Sequence, residues 1–357
     1  MSVLMSHTHD LRALSALAYA FRDPDKNLKN EDFDLSASIT FSCSTESHAN
    51  TVIHGKMAEK GYDLADIQRA MNWAKENKKE YNLFDLKELS GSSREGYVLV
   101  IKNLVGHLTD PIRDEYVEKV YPKLDRKFVN FQTVRTKYAR GNAEIGDSKC
   151  ESDLAPLEVG QRIEKGTKLS GIVIPYTEVP RLSFVRNILP EILGEKATSL
   201  RAEVNHYGPP SKSTNEPRFS FQSSGIGFHG DSERPDVCCL VLGRKKALHF
   251  QPFRRTLPEG KRVEVVVGDG DFYVMCQNAC GHSWSEDRRS DKIIHYRHAA
   301  GTLESEGKRS RFLPTNEQIT RRVLAKIKRT QEKATKRKKP LDLIVSPVCS
   351  RAFLLFY

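Results

Sequence analysis

At 357 residues the chain is long enough for one large domain with extensions, or for two modest ones. With 38% hydrophobic and 29% charged residues it is neither disordered nor fibrous in composition, and no run approaches the roughly 20 apolar residues that span a bilayer. The net charge of +11 is unevenly spread, because residues 301–340 hold thirteen Lys/Arg against four Glu, a local net of +9.

Residues 1–94 are expected to form a helical, polar-rich extension. Leu11, Leu14, Ala18 and Phe21 recur at helical spacing behind a cap at Thr8 or Asp10, and a second helix is expected from Leu64 through Trp73 to about Lys78. From Gly96 the texture changes. Residues 97–101 form an apolar run short enough for a buried strand, and Asp110-Pro111 supplies an N-cap and a first-turn Pro for a helix bearing Ile112, Tyr116, Val117 and Val120. A strand is expected over 128–138 and a helix over 181–193, with Leu182, Val185, Ile188 and Leu189 apolar. Short strands separated by turns then follow, at 200–207, 226–230, 237–242, 247–253, 262–267, 272–276 and 292–298. Beyond them Thr315-Asn316-Glu317-Gln318 can cap a basic helix carrying Ile319, Val323 and Ile327, which runs into Lys336-Arg337-Lys338-Lys339.

Chemistry concentrates in the strand-rich part. His229 and Asp231 are two apart, so strand alternation turns both to one face, and glycines at 225, 227 and 230 surround them. Two imidazoles and one carboxylate occupy one face of an octahedral Fe(II) and leave the opposite face open. His282 is the expected third ligand. His298 is its rival, although it sits beside Arg297 and faces oppositely on a regular strand. Arg297 suits a carboxylate, which an arginine binds through a pair of hydrogen bonds. Asn205 and Tyr207 can reach the same ligand from a neighbouring strand. A zinc site from Cys276, Cys280 and His282 is the weaker metal reading, for want of a fourth ligand and tighter spacing.

In order, Asn205-His206-Tyr207, His229-Gly230-Asp231, residues 240–243, residues 270–275, His282 and Tyr296-Arg297 resemble the AlkB-type Fe(II)/2-oxoglutarate dioxygenases. The likeness covers roughly residues 95–301. It implies an α+β fold: a double-stranded β-helix (jelly-roll) core flanked by helices, between the helical extension of 1–94 and a basic helical tail, 302–357. It also implies that His229, Asp231 and His282 bind Fe(II), and that Asn205, Tyr207 and Arg297 hold 2-oxoglutarate. The activity implied is O2-dependent hydroxylation of a substrate C–H, in nucleic-acid members an N-methyl carbon lost as formaldehyde. The chain departs from the family at Asp291, where a second Arg six residues before Arg297 is usual; Arg289 or Lys292 are the nearby substitutes.

The tail can neutralise phosphates and so points to RNA or DNA, with Lys336, Arg337, Lys338 and Lys339 as contacts. A protein or small-molecule hydroxylase, and a non-enzymatic nucleic-acid-binding jelly roll, are the alternatives. Seven cysteines, two of them adjacent at 238–239, and a start without a basic-then-apolar layout suit a reducing compartment, cytoplasmic or nuclear. No membrane partner is expected.

Overall fold

The computed structural model describes residues 36–47, 52–121, 140–146, 149–150, 157–158, 173–207, 225–302 and 314–336. The chain divides into one unit of residues 1–255 and 259–313, and a second of 256–258 and 314–357.

The first unit is α+β, with mostly antiparallel sheets, one of them curled into a half-barrel. Its early strands are β1 (Ser36–Ser42), β2 (Ser44–Ser47), β3 (Val52–Gly55), β4 (Tyr81–Asp85) and β5 (Tyr97–Ile101). Then come β6 (Arg140–Gly146), β7 (Lys149–Cys150), β8 (Leu157–Glu158), β9 (Val173–Pro175) and β10 (Arg201–Tyr207). The site-bearing part holds β11 (Gly225–His229), β12 (Val237–Gly243), β13 (Lys246–Arg254), β15 (Val263–Val267), β16 (Phe272–Met275) and β17 (Ile294–Thr302); β14 (Leu257–Pro258) falls in the second unit. Helices are α1 (Leu64–Glu76), α2 (Leu86–Ser90), α3 (Thr109–Glu115), α4 (Pro180–Leu193), α5 (Gln277–Cys280) and α6 (Trp284–Asp287).

The large sheet runs β4-β5-β16-β12-β1-β10-β6-β9, antiparallel except at β6–β9. Strand alternation gives it two different faces. On one, Leu99 and Ile101, Cys238 and Leu240, Phe272 and Val274, Ile39 and Phe41, and Ala202 and Val204 pack under α1 and α4. On the other, Val98, Val100, Cys239, Val241, Tyr273 and Met275 meet Leu248, Phe250 and Val265 of the smaller sheet, which runs β11-β17-β13 with β15 also on β13. Towards β1 and β10 this second face turns polar: Ser38, Thr40, Glu203 and Asn205 are all buried there.

Local chemistry fixes the flanking helices. At α1, Asp63 accepts from the amides of Ala65 and Asp66 while Asp66 accepts from the amide of Asp63, a reciprocal capping box. The start of α4 has Pro180 in its first turn and is capped from outside, the Glu115 carboxylate accepting from the amides of Arg181 and Leu182 at 2.9 Å each.

Several expectations change. Residues 36–42, 44–47, 52–55 and 81–85, assigned to a helical extension, are strands, and β1 lies inside the large sheet between β12 and β10. The alternation Ser-Ala-Ser-Ile-Thr-Phe-Ser is the physical reason, since period two fits a pleat and not a helix. Asp110 does not cap α3, which starts at Thr109 behind the short turn Gly106–Leu108. The helix at Leu64 and the strands from Leu200 onward appear close to their expected bounds. The helix over 8–21 and the strand over 128–138 lie outside the described residues.

The second unit contains α7 (Asn316–Lys336). Its start is capped as the sequence suggests: Gln318 donates its amide to Thr315 Oγ1 at 3.2 Å, and the Gln318 side chain accepts from the Thr315 amide at 3.0 Å. No helix among the described residues is long and apolar enough to cross a membrane.

Candidate metal centre

The register between β11 and β17 builds the site. Ile226 pairs with Ala300, but the next matched pair is His229 with His298, so β11 carries one extra residue as a bulge. Without it Phe228 would oppose His298. The bulge instead turns His229 inward beside His298, with ring centroids 4.2 Å apart, while Phe228 stacks edge-on with Phe253.

Asp231 lies just past the end of β11 rather than on it. The segment after β16 grips its backbone from both sides: the Asp231 amide donates to the Cys280 carbonyl (3.1 Å), and His282 Nδ1 lies 3.1 Å from the Asp231 carbonyl as a donor. Gly230 must be glycine here, because a Cβ would collide with the Gly281 carbonyl and the Trp284 ring.

His229, Asp231 and His298 each offer one ligand atom, all within 4.8 Å of one another. Both imidazole Nε2 atoms face the carboxylate, at 3.4 Å from Asp231 Oδ1 for His229 and 3.7 Å from Oδ2 for His298. His229 Nδ1 lies 2.8 Å from the Gly227 carbonyl; with the proton there, Nε2 presents its lone pair to the cluster.

Behind Asp231 sits Arg234, as deeply buried. Its Nη1 donates to Glu203 at 2.7 Å, and its Nε is 3.3 Å from both Asp231 Oδ2 and Glu233 Oε1. Burial alone would raise the Asp231 pKa, but Arg234 and the two imidazoles outweigh it and hold the carboxyl below its usual range. Burial lowers the His298 pKa against the pull of Asp231, favouring the neutral, ligand-ready imidazole. Glu233 is pushed up to about 8, by burial first and then by Asp231. At neutral pH the cluster is therefore an ionised carboxylate beside a neutral imidazole, suited to a cation.

The cluster opens on a cavity of about 380 Å³ between the two sheets, within the size range of small-ligand sites. Leu248, Phe250, Tyr273 and Met275 form apolar wall, Ser38, Thr40 and Asn205 bring polar atoms from the large sheet, and Trp284 stands at Gly230.

The expected residues divide accordingly. His229 and Asp231 come together. His282 holds the Asp231 backbone instead of facing the cluster, and His298 takes the third position, because the bulge brings β11 into step with β17. Asn205 lines the cavity and donates to Glu203 (3.3 Å). Arg297 is on the other face of β17, where its guanidinium donates to the Phe228 carbonyl (2.8 Å) and lies over Trp284 and Phe253, 4.9 and 5.2 Å from their centroids. It does not join the described cavity lining, since alternation cannot turn both 297 and 298 inward. Tyr207 pairs with Arg140 through the backbone, and its side chain lies outside the described residues, as do the side chain of Lys336 and all of 337–339. Burial raises the Cys276 and Cys280 thiols, opposing the thiolates that zinc would need.

Sequence reasoning missed Arg234, Glu203, Ser38 and Thr40. Only β1 carried a usable signal, its strict alternation of small polar and apolar residues.

Fold and site together define an α+β protein with a His–Asp–His cluster, Asp231 and His298 buried and His229 half-buried, at the mouth of an inter-sheet cavity. No family model matches the chain. It is 28% identical over 270 residues to an uncharacterized protein of Acanthamoeba polyphaga mimivirus, a match covering 74% of this chain and 94% of that protein.

Proposed function

We propose that the chain is an Fe(II)- and 2-oxoglutarate-dependent dioxygenase with a jelly-roll core, acting on nucleic acid as an oxidative demethylase or hydroxylase. The observation that carries the proposal is the convergence of His229, Asp231 and His298. Two nitrogens and one carboxylate oxygen suit a divalent metal of intermediate softness and leave further coordination positions for a 2-oxo acid and O2. When bound, the metal and 2-oxo acid would supply O2 activation coupled to oxidative decarboxylation.

The chain's own residues would set the geometry. Gly227 fixes the His229 tautomer, Arg234 and His282 orient Asp231 through its carboxylate and its backbone, and Leu248, Phe250 and Met275 exclude water. Trp284, with the Arg288 and Arg297 guanidinium groups over its ring, would place an aromatic edge and positive charge at the rim towards a nucleic-acid substrate. The excess of positive charge in 301–340 would concentrate the protein on phosphates by counterion release.

Anaerobic reconstitution with Fe(II) and 2-oxoglutarate tests the reading. A metal-to-ligand charge-transfer band is expected, lost in His298→Ala, followed under O2 by succinate release stimulated by a methylated oligonucleotide. A wild-type protein that binds no Fe(II) would refute the metal centre. Stimulation only by a peptide or small molecule would move the substrate class and leave the chemistry.

A further inference from the structure

The helix α7 (Asn316–Lys336) is basic, and its charges are segregated. At about 100° per residue, Ile319, Val323, Leu324 and Ile327 share a sector of about 140° whose other members are uncharged. Between 316 and 333 the six Lys/Arg and two Glu all fall outside that sector. The fold covers little of the apolar face. The helix packs on β14, and Ile319 and Val323 are half-buried, but Leu324 is 54% and Ile327 46% exposed. Leu257 of β14 is itself 38% exposed.

Both rims of the apolar sector are basic. Arg322, Lys326 and Lys333 edge one side, and Arg321 and Lys328 the other, where Glu317 pairs with Arg321 at 2.7 Å. Two copies of the chain joined through these faces would bring like-charged rims together and repel. A nucleic acid would neutralise the rims and leave four aliphatic side chains in water. An anionic lipid surface satisfies both parts, because its headgroups meet the rims while the acyl boundary takes the aliphatic side chains. The sequence beyond 335 has the same composition: Lys336-Arg337-Lys338-Lys339 precedes two short, largely apolar runs, 341–345 and 352–357, the second with Phe353, Phe356 and Tyr357. Aromatic residues and basic clusters are enriched where a bilayer meets water.

We propose that α7 is a membrane-surface helix, lying along an anionic phospholipid bilayer with Ile319, Val323, Leu324 and Ile327 at the acyl boundary and its Lys and Arg side chains among the headgroups. This is association with a surface and not a crossing, for which no described helix is long and apolar enough. It is independent of the metal centre. It uses the same cations as the nucleic-acid contact proposed above, so lipid and oligonucleotide should compete for α7, whereas the apolar face serves lipid alone.

The test floats the full-length protein with vesicles of phosphatidylcholine alone or of phosphatidylcholine mixed with phosphatidylserine. Binding is expected only where phosphatidylserine is present, and it should weaken as salt rises. Leu324→Ser combined with Ile327→Ser should reduce vesicle affinity roughly 10- to 100-fold, with oligonucleotide affinity and circular dichroism unchanged. Lys326→Gln combined with Lys333→Gln should weaken vesicle and oligonucleotide binding alike. The proposal is overturned if the wild type does not bind the phosphatidylserine vesicles, which leaves the face to a protein groove, or if the apolar double variant binds them as tightly, which leaves charge alone. It also falls if sedimentation velocity shows a dimer that the apolar double variant abolishes, since the face would then join two copies. None of these outcomes bears on iron binding at His229, Asp231 and His298, which the charge-transfer band reports separately.

Discussion

Replacing His298 and His282 separately by alanine distinguishes a ligand from a residue that positions one. His298 Nε2 points at Asp231 Oδ2 from 3.7 Å and belongs to the three-atom cluster, so His298→Ala removes one of three protein donors. His282 touches only the backbone of Asp231, at 3.1 Å, so His282→Ala removes one hydrogen bond and loosens the turn that presents the carboxylate. Loss of an outer-shell partner weakens metal affinity by roughly 10- to 100-fold, and loss of a donor must exceed that. The expectation is a Co(II) or Fe(II) affinity down more than about 100-fold in His298→Ala and by about 10-fold in His282→Ala. Calorimetric titration at neutral pH measures both, with Co(II) d–d bands reporting coordination number and circular dichroism checking the fold. Stoichiometric, tight metal in His298→Ala together with its loss in His282→Ala would refute the assignment and return the third site to position 282.

Four other outcomes follow from the geometry. Arg234→Met leaves Asp231, Glu203 and Glu233 buried without their shared cation and should cost roughly 3–5 kcal/mol in urea unfolding, less at acid pH where the carboxyls protonate. Gly230→Ala and Gly281→Ala drive a Cβ into the Gly281 carbonyl and the Tyr296 carbonyl respectively, so each should lower stability by about 1–3 kcal/mol and weaken metal binding in the same titration. His295 is pulled down to about 4, by burial and then by Arg297; its neutral form contributes stability that is complete above the unfolded pKa of about 6.5 and declines as pH falls towards 4. The contribution amounts to about 3 kcal/mol, and His295→Gln should flatten that stretch of the stability–pH curve. Finally, ending the chain at Leu313 should weaken oligonucleotide binding and flatten its dependence on salt, as fluorescence anisotropy at several ionic strengths would record.

How far the sequence carries depends on whether a feature is local. The strands from Leu200 onward and the cap at Thr315 are legible because alternation, turn residues and capping chemistry act within a few positions. Those rules identify His229 and Asp231 as a pair, yet they misplace the third histidine. The choice between 282 and 298 turns on one extra residue in β11, and a bulge leaves no composition that separates it from ordinary strand; Gly227 is compatible with both. Position 231 joins the cluster through a turn held by Cys280 and His282, which only the folded chain brings near. The polar floor is less legible still. Ser38, Thr40, Glu203 and Asn205 come from two strands adjacent in the large sheet but more than 160 positions apart in the chain.

The two faces of β17 show why residue type alone misdirects. Arg297 has the right chemistry for a carboxylate and the wrong face; packed over Trp284, it steadies the ring at the cavity rim. Lys246 begins a strand that reads as ordinary apolar sheet, yet its inward face shares that of Leu248 and Phe250 and carries its charge into the core. Burying an ammonium there is worth its desolvation only if an anion or a set of oriented oxygens meets it, and β1 supplies the oxygens through Ala37 and Ser38. The same strand lends Ser38 and Thr40 to the cavity and Ile39 and Phe41 to the core beneath α1 and α4. A strand with both faces engaged in this way cannot be an appendage, so shifting its register by one residue would exchange the polar floor for the core and disable both together.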